Sequence, residues 1–558
     1  MLAEAAVKTK MTRYIFISGG VISGLGKGVA TASIAFLLKS AGFKVNIVKI
    51  DMYLNIDAGT MNPLEHGEVF VASDGLETDQ DLGNYERFLG RRLGRKNYLT
   101  AGQLYQRILE KERALKYDGI CVEAYHEVPR ETIKFLRRAA KNSDFLLVEL
   151  GGTVGEYQNV LFFEAARRLK IKQPNNVFFI HLVYLMTPSF LGEMKTKPAQ
   201  QSIFELNRLG ISPDFLVCRG EKLPDKRRIK KLALAAALDR EFIFSAPDTS
   251  PVYRVPLILQ EQGFLAEFFK KVDRPVKKPT LLAHRQELVK WQRLIKKIDS
   301  ASKEVRIAIC GKYYLSGNFS LKDAYVSVVE SLKIAAWHQG INPEIVWVDA
   351  EKVEKEGPEK FLRSVAGVIV PGGFGGRGVE GKIEVIRWVR ENKIPYLGLC
   401  YGMQLAAVEF ARNVAGLKKA HSTEINPQTP YPVIHIMPDQ EKKLLSRQYG
   451  ATMRLGNWPC RLKKGSLTRK AYQKSLIYER HRHRYEFNNQ YRKKLKKAGL
   501  VISGVTPDFA LVEIIELPKS VHPFFVATQF HPEFTTRFLS PNPLFLAFVK
   551  AAGKYSVK

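Results

Sequence analysis

The sequence predicts an α/β protein of two domains, each built on a mainly parallel sheet flanked by helices. Three observations carry that expectation. Short apolar or β-branched runs alternate with stretches of helical period along most of the chain, the pattern of parallel strands joined by crossover helices. The 558 residues exceed what a single hydrophobic core supports. A proline-rich, charged interruption from about Arg274 separates two such alternating sets.

The first set contains "YIFIS" (14–18), "KVNIVKI" (44–50), "DFLLVEL" (144–150), "NVFFIHLVYL" (176–185) and "DFLVC" (214–218). These runs are almost continuously apolar rather than alternating, as strands buried on both faces are. Between them, "ATASIAFLLKSAG" and "QLYQRILEKERALK" carry the helical period and end near glycine or polar residues. The interruption supplies prolines, a charged helix and a polar stretch, and is assigned as a linker over 276–303. Residues 1–275 then form one domain and 304–558 the other. The second set runs through "VRIAIC" (305–310), "EIVWV", "GVIVPGG", "PYLGLC" and "FFVATQF".

Composition narrows the class. The 45% hydrophobic and 25% charged fractions are ordinary for a globular protein. The longest apolar stretch, Val177 to Met186, is interrupted by His181 and is too short to span a bilayer. The N-terminus lacks the apolar core of a signal peptide, so no membrane association and a cytoplasmic setting are expected. Cys121, Cys218, Cys310, Cys400 and Cys460 stand far apart, which argues against a disulfide framework or a thiolate zinc site. The net charge of +32 reads either as a solvated basic surface or as attraction to polyanions. Its basic runs are dispersed and carry no nucleic-acid-binding motif, so no specific nucleic-acid partner is expected.

"SGGVISGLGKGVA" (18–30) lies between a strand and a helix. In that context backbone amides and the helix N-terminus point at an anion. Lys27 would neutralise β- and γ-phosphate charge. A strict phosphate-loop pattern fails here, because Gly28 stands where Ser or Thr would hold magnesium. Carboxylates must then take the metal. Asp81 in "LETDQDLGNYERF" and Glu149 at the end of "DFLLVEL" sit where strands should end, facing the crevice in which α/β sheets bind ligands. Spacing alone leaves a ligand-free glycine turn and solvated or capping acids open.

"PYLGLCYGMQLAAVEFA" places Cys400 in G-x-C-x-G between a strand and a helix, the geometry of a nucleophile elbow with a thiol in place of a hydroxyl. "PGGFGGRG" (371–378) offers backbone amides suited to an oxyanion hole. "TQFHPEF" carries His531 and Glu533, a proton acceptor and its orienting carboxylate. Taken singly, a buried cysteine is packing and a His-Pro-Glu is a turn.

"SGGVISGLGKG", "KIDMYLNIDAGTMNPLEHGEVFV", "GLETDQDLGNYERF", "VELGGTVG" and "GEMKTKPAQQS", in this order, resemble the CTP synthases, the UTP:ammonia ligases. The cysteine, glycine-loop and His-Pro-Glu elements resemble class I glutamine amidotransferases. The likeness covers nearly the whole chain apart from an N-terminal extension, residues 1–12. It implies a P-loop NTPase-like amidoligase domain followed by a glutamine amidotransferase domain, with Mg2+, with ATP, UTP and L-glutamine as substrates, and with GTP as activator. A homotetramer is implied as well.

The same resemblance implies residue roles. Gly24, Leu25, Gly26, Lys27, Gly28, Val29 and Asp81 would bind ATP, with Lys27 catalytic, and Asp81 and Glu149 would hold Mg2+. Ser23, Glu156, Lys195, Lys197 and Gln200 would bind UTP or CTP. Cys400, His531 and Glu533 would hydrolyse glutamine, with Gly372 and Gly373 at the oxyanion. Gly373, Tyr401, Gly402, Met403, Gln404, Glu424 and Arg484 would contact glutamine, and His66 would line an ammonia passage.

Departures from the family pattern gather at the pyrimidine site. Glu156, Tyr157 and Gln158 replace Asp-Ile-Glu, residues 121–133 replace a "QVIPHIT"-like segment, Ala199 replaces a threonine, and Glu241 stands for a lysine. Tyr401 follows the cysteine where a small aliphatic residue is usual. Two other readings therefore stay open: an amidoligase with altered pyrimidine specificity, and a filament-forming paralogue with impaired synthesis.

Overall fold

The computed structural model describes residues 11–190, 192–272, 278–312, 315–316, 319–320, 322–437, 440 and 450–555. They divide into two compact units, the first comprising the chain to Asp57 together with Asn84–Ile295, the second Ala58–Gly83 together with the chain from Lys296.

The first unit is built on seven strands: β1 (Arg13–Gly19), β2 (Val45–Asp51), β3 (Tyr98–Thr100), β4 (Phe145–Leu150), β5 (Val177–Tyr184), β6 (Phe215–Arg219) and β7 (Ile243–Ser245). Their order is β3-β2-β4-β1-β5-β6-β7, and every pair is parallel. The connection from β1 leads to one side of the sheet and that from β5 to the other. The crevice at their carboxyl ends is thus a topological switch point, and the glycine-rich loop opens there. Tyr14, Phe16, Val48, Ile50, Val148 and Phe179 belong to one core on this sheet. The helix Lys27–Ser40 that follows the loop is buried on almost every side, which explains its unbroken run of small and apolar residues.

The strands β3 and β7 escaped the sequence reading because three residues are too few to show a period. Two further observations concern domain limits. The charged helix expected within 276–303 is Lys278–Asp299 and takes up most of that stretch. Its Trp291 is fully buried, donates from Nε1 to the Tyr253 carbonyl at 2.7 Å, and packs its ring 4.1 Å from that of Phe36. The segment Ala58–Gly83, expected within the N-terminal domain, groups with the second unit. The cause is a short hairpin, Phe70–Val71 paired with Glu77–Thr78, which is bonded to that unit by side chains described below.

The main sheet of the second unit has nine strands: β8 (Lys303–Gly311), β9 (Ile341–Asp349), β10 (Gly367–Val370), β11 (Tyr396–Leu399), β12 (Arg454–Leu462), β13 (Leu476–His483), β14 (Val501–Val505), β15 (Val512–Glu516) and β16 (Phe525–Thr528). Their order is β9-β8-β10-β11-β16-β15-β14-β12-β13. The run from β9 to β16 is parallel, and antiparallel strands extend the sheet beyond it. Along β8 the pleat sends Ile307 and Ile309 into one core and Ala308 and Cys310 into the other, so both faces are covered.

Candidate active sites

Cys400 closes β11 and opens the helix Tyr401–Asn413. Its φ of 50° and ψ of −96° are costly for a residue with a side chain, about 1–3 kcal/mol, and such strain marks a nucleophile turn. The flanking glycines are there by necessity. A Cβ on Gly398 would lie 2.8 Å from the Ala527 Cβ, and one on Gly402 would lie 2.2 Å from the Val370 carbonyl oxygen. Cys400 is buried, its N–H donates to the Thr528 carbonyl at 2.7 Å, and its thiol faces the Arg482 carbonyl at 3.8 Å. The amide of Gln529 donates to Sγ at 3.6 Å.

His531 and Glu533 follow β16. Nδ1 of the imidazole lies 2.7 Å from the Glu533 Oε1, and the ring stacks on Phe534. Burial disfavours the charged imidazole, but the Glu533 carboxylate and the Cys400 sulfur beside it prevail and raise its pKa to about 10. A Cβ on Gly372 would stand 2.8 Å from His531 Cε1 and 3.8 Å from the Cys400 Cβ. The glycine loop therefore passes directly over the cysteine–histidine pair, with backbone only.

The loop is held at Gly375. Its N–H donates to the Glu424 Oε1 at 2.7 Å, and its carbonyl accepts from the Tyr401 hydroxyl at 2.9 Å. Burial raises the Glu424 pKa. Gln404 donates to the Tyr485 carbonyl at 2.8 Å, and Arg484 donates to Gln440 Oε1 and Thr452 Oγ1, both at 2.8 Å. Met403 is fully buried and its N–H donates to the Cys400 carbonyl at 3.0 Å, so its side chain belongs to the core rather than to a pocket wall. Tyr401 is likewise buried, and its hydroxyl meets the loop.

In the first unit the glycine-rich loop takes left-handed backbone at Val21, Gly24 and Gly26 (φ 77°, 71° and 88°), and Gly26 caps the helix that Lys27 begins. Gly20 passes so close to the helix Lys197–Arg208 that a Cβ would lie 2.0 Å from that of Ser202. Lys27 Nζ donates to the Gly152 carbonyl, and Ser23 is exposed. His181 bridges Ser18 and Ser202 through its two nitrogens at 2.9 and 3.2 Å. Burial, with Lys27 adding repulsion, lowers its pKa to about 3, so it serves as a neutral strut.

Glu149 is buried at the end of β4, accepting from Lys49 Nζ at 2.9 Å on Oε1 and from the Tyr85 hydroxyl on Oε2. Asp81 begins the helix Asp81–Leu89, with its N–H donating to Asp79 Oδ1 at 2.6 Å, and lies in the segment that groups with the second unit. Among the described residues no three His, Cys, Asp or Glu side chains form a metal cage.

The residues expected at the pyrimidine site are placed as follows. Glu156 Oε1 accepts from the Thr153 N–H and hydroxyl, both at 2.7 Å, and Tyr157 is 96% exposed. Lys195 pairs with Glu193 at 2.7 Å, Lys197 is the exposed first residue of its helix, and Gln200 contacts Thr196 at 3.4 Å. Ala199 is buried in the core below, and Glu241 pairs with Lys270 at 2.7 Å.

Several residues were missed by sequence reasoning. Gln529 stood inside a quoted motif without a role. Arg219 donates to the Leu25 carbonyl of the loop at 3.1 Å, an arrangement no local pattern announces. The alternation in "ERHRHRYEF" could have revealed Arg480 and Arg482 on one face of a strand and His481 and His483 on the other. Among the described residues no helix is long and apolar enough to cross a membrane.

Comparison with known proteins gives a consistent result. Residues 13–273 match the family model for the CTP synthase N-terminus, and residues 320–551 match that for class-I glutamine amidotransferases. The CTP synthase of Thermococcus gammatolerans is 46% identical over 97% of this chain and 99% of its own length. That of Carboxydothermus hydrogenoformans is 47% identical over 98% of this chain and 99% of its own. A solved glutaminase domain of Trypanosoma brucei CTPS with bound acivicin is 40% identical, covers 45% of this chain and 95% of its own, and has a TM-score of 0.41.

Proposed function

The chain belongs to the CTP synthase family, and from that premise we propose how its residues divide the work of aminating UTP to CTP with ATP and glutamine. The observation that carries this reading is the strained Cys400 elbow beside the His531–Glu533 pair, in a chain that also builds a phosphate loop ending in Lys27.

Cys400 Sγ attacks the side-chain amide carbon of glutamine. The oxyanion is held by backbone amides around Gly372 and Gly373, and His531 gives its proton to the departing nitrogen, which leaves as ammonia. Water, deprotonated by His531, then attacks the thioester and releases glutamate. Glu533 keeps the imidazole oriented and its cation stabilised throughout. Glu424, Gln404, Arg484 and the backbone at Tyr401 and Gly402 are proposed to frame the glutamine.

In the other half, Gly24 to Val29 would cradle ATP, with Lys27 balancing charge as the γ-phosphoryl group passes to O4 of the uracil. Ammonia attacks C4, phosphate leaves, and CTP results. Ser23, Glu156, Lys195, Lys197 and Gln200 are the proposed pyrimidine-nucleotide contacts, and His66 the proposed lining of the ammonia route. Asp81 and Glu149 are oxygen donors of the kind Mg2+ requires, Glu149 being a buried carboxylate near the end of β4. Bound there, Mg2+ would supply charge neutralisation across the phosphates. Activation by GTP, a homotetramer and a cytoplasmic setting follow from family membership as further proposals. Neither the fold nor the site geometry favours an altered amidoligase or a synthesis-deficient paralogue.

The reading is tested by incubating the protein with UTP, ATP, magnesium and glutamine. CTP, ADP, phosphate and glutamate should appear in equal amounts. Glutamate without CTP would refute it.

A further inference from the structure

The strand β13 presents two arginines on one face, Arg480 and Arg482, and both reach the segment Ala58–Gly83. Arg480 is fully buried, donates from Nη1 to the Val71 carbonyl at 2.9 Å, and lies over the Phe70 ring at 5.2 Å. Arg482 Nε donates to Glu77 Oε1 at 2.8 Å. The backbone of the same two residues meets the glutaminase pair. The Arg480 carbonyl accepts from the His531 N–H at 2.7 Å, and the Arg482 carbonyl faces the Cys400 thiol at 3.8 Å.

Two other contacts converge there. Phe70 meets Phe534 edge-on at 5.1 Å, and Phe534 stacks on the His531 ring. Glu68 accepts from the Ser327 N–H at the start of the helix Val326–His338, whose Ser331 hydroxyl donates to the Glu533 carbonyl at 3.1 Å. Burying a guanidinium is costly unless its geometry is well satisfied, and an apolar side chain would hold a hairpin more cheaply. The arginines do something an apolar residue cannot, which is to fix the hairpin and the strand backbone in one register.

We infer that Arg480 and Arg482 are positioning residues for glutamine hydrolysis, each tying one member of the Cys400–His531 pair to the segment Ala58–Gly83. The inference rests on the function proposed above.

The test compares the wild type with Arg482→Met, Arg482→Lys, Glu77→Leu and the Arg482→Met/Glu77→Leu double variant. Two rates are read: glutamine hydrolysis alone, and CTP formation from ammonium chloride. Arg482→Met and Glu77→Leu should each lower kcat for glutamine about tenfold while KM stays within about twofold. The double variant should be no worse than either single one, and Arg482→Lys should recover part of the rate. CTP formation from ammonium chloride should stay near the wild-type rate. Unchanged kcat, a change in KM alone, or parallel loss of the ammonia reaction would overturn the inference. A wild type that makes no CTP from ammonium chloride would refute the proposed function instead, while hydrolysis of glutamine alone still decides the positioning role.

Discussion

His531 Nδ1 and Glu533 Oε1 stand 2.7 Å apart in a buried pocket, and that pairing keeps the imidazole cationic far above its ordinary range. The imidazole pKa is about 10 against an ordinary 6.5, so the folded state binds the proton more tightly than the unfolded chain. The stabilisation is therefore complete below about pH 6.5 and is lost as pH rises towards 10. Urea unfolding of wild type and His531→Gln should show a stability gap that is wide at the acid end of this window and narrow at the alkaline end. A gap that grows with pH would contradict the sign.

The same pairing makes a kinetic prediction. Glu533→Gln removes the carboxylate that raises the imidazole pKa, so His531 should lose its proton at lower pH. The pH profile of kcat/KM for glutamine should show its imidazole limb displaced to lower pH than in the wild type.

Gly402 leaves no room for a side chain, since a Cβ would press within 2.2 Å of the Val370 carbonyl. Gly402→Ala should cost about 1–3 kcal/mol of stability. By displacing Cys400 it should also lower glutamine-dependent CTP formation about 100-fold. Assays with glutamine and with ammonium chloride separate the two effects, because only the first should collapse.

Gln529 donates to the Cys400 sulfur, a contact that holds the sulfur in place. Gln529→Leu should slow alkylation of Cys400 by iodoacetamide and lower kcat for glutamine about tenfold. An unchanged alkylation rate would remove Gln529 from the account.

Lys27 begins the helix behind the phosphate loop, with its ammonium group on the Gly152 carbonyl. Lys27→Met should depress CTP formation from glutamine and from ammonium chloride alike, by about 10²–10³-fold. Glutamine hydrolysis measured without nucleotide should persist.

Much of this organisation is legible in the sequence for a simple reason. Strands buried on both faces are written as long apolar runs, and glycines at close approaches cannot be replaced. The run "DFLLVEL" and the Gly398–Cys400–Gly402 elbow are of this kind. What was not legible depends on contacts far apart in the chain. The register of Arg480 against Val71 and of Arg482 against Glu77 joins residues some four hundred positions apart, and no local period encodes it. The charged helix expected after Arg274 is Lys278–Asp299, but its anchoring through buried Trp291 was not legible, because the Tyr253 carbonyl that it meets lies far back in the chain. Met403, which the family resemblance puts at the glutamine, has its side chain in the core.

The most direct measurement follows nitrogen. Glutamine labelled at its amide nitrogen is supplied with UTP, ATP and magnesium in the presence of unlabelled ammonium, to wild type and to Cys400→Ala. The account predicts labelled CTP from the wild type and only unlabelled CTP from the variant. Labelled CTP from Cys400→Ala, or none from the wild type while it consumes glutamine, would contradict it.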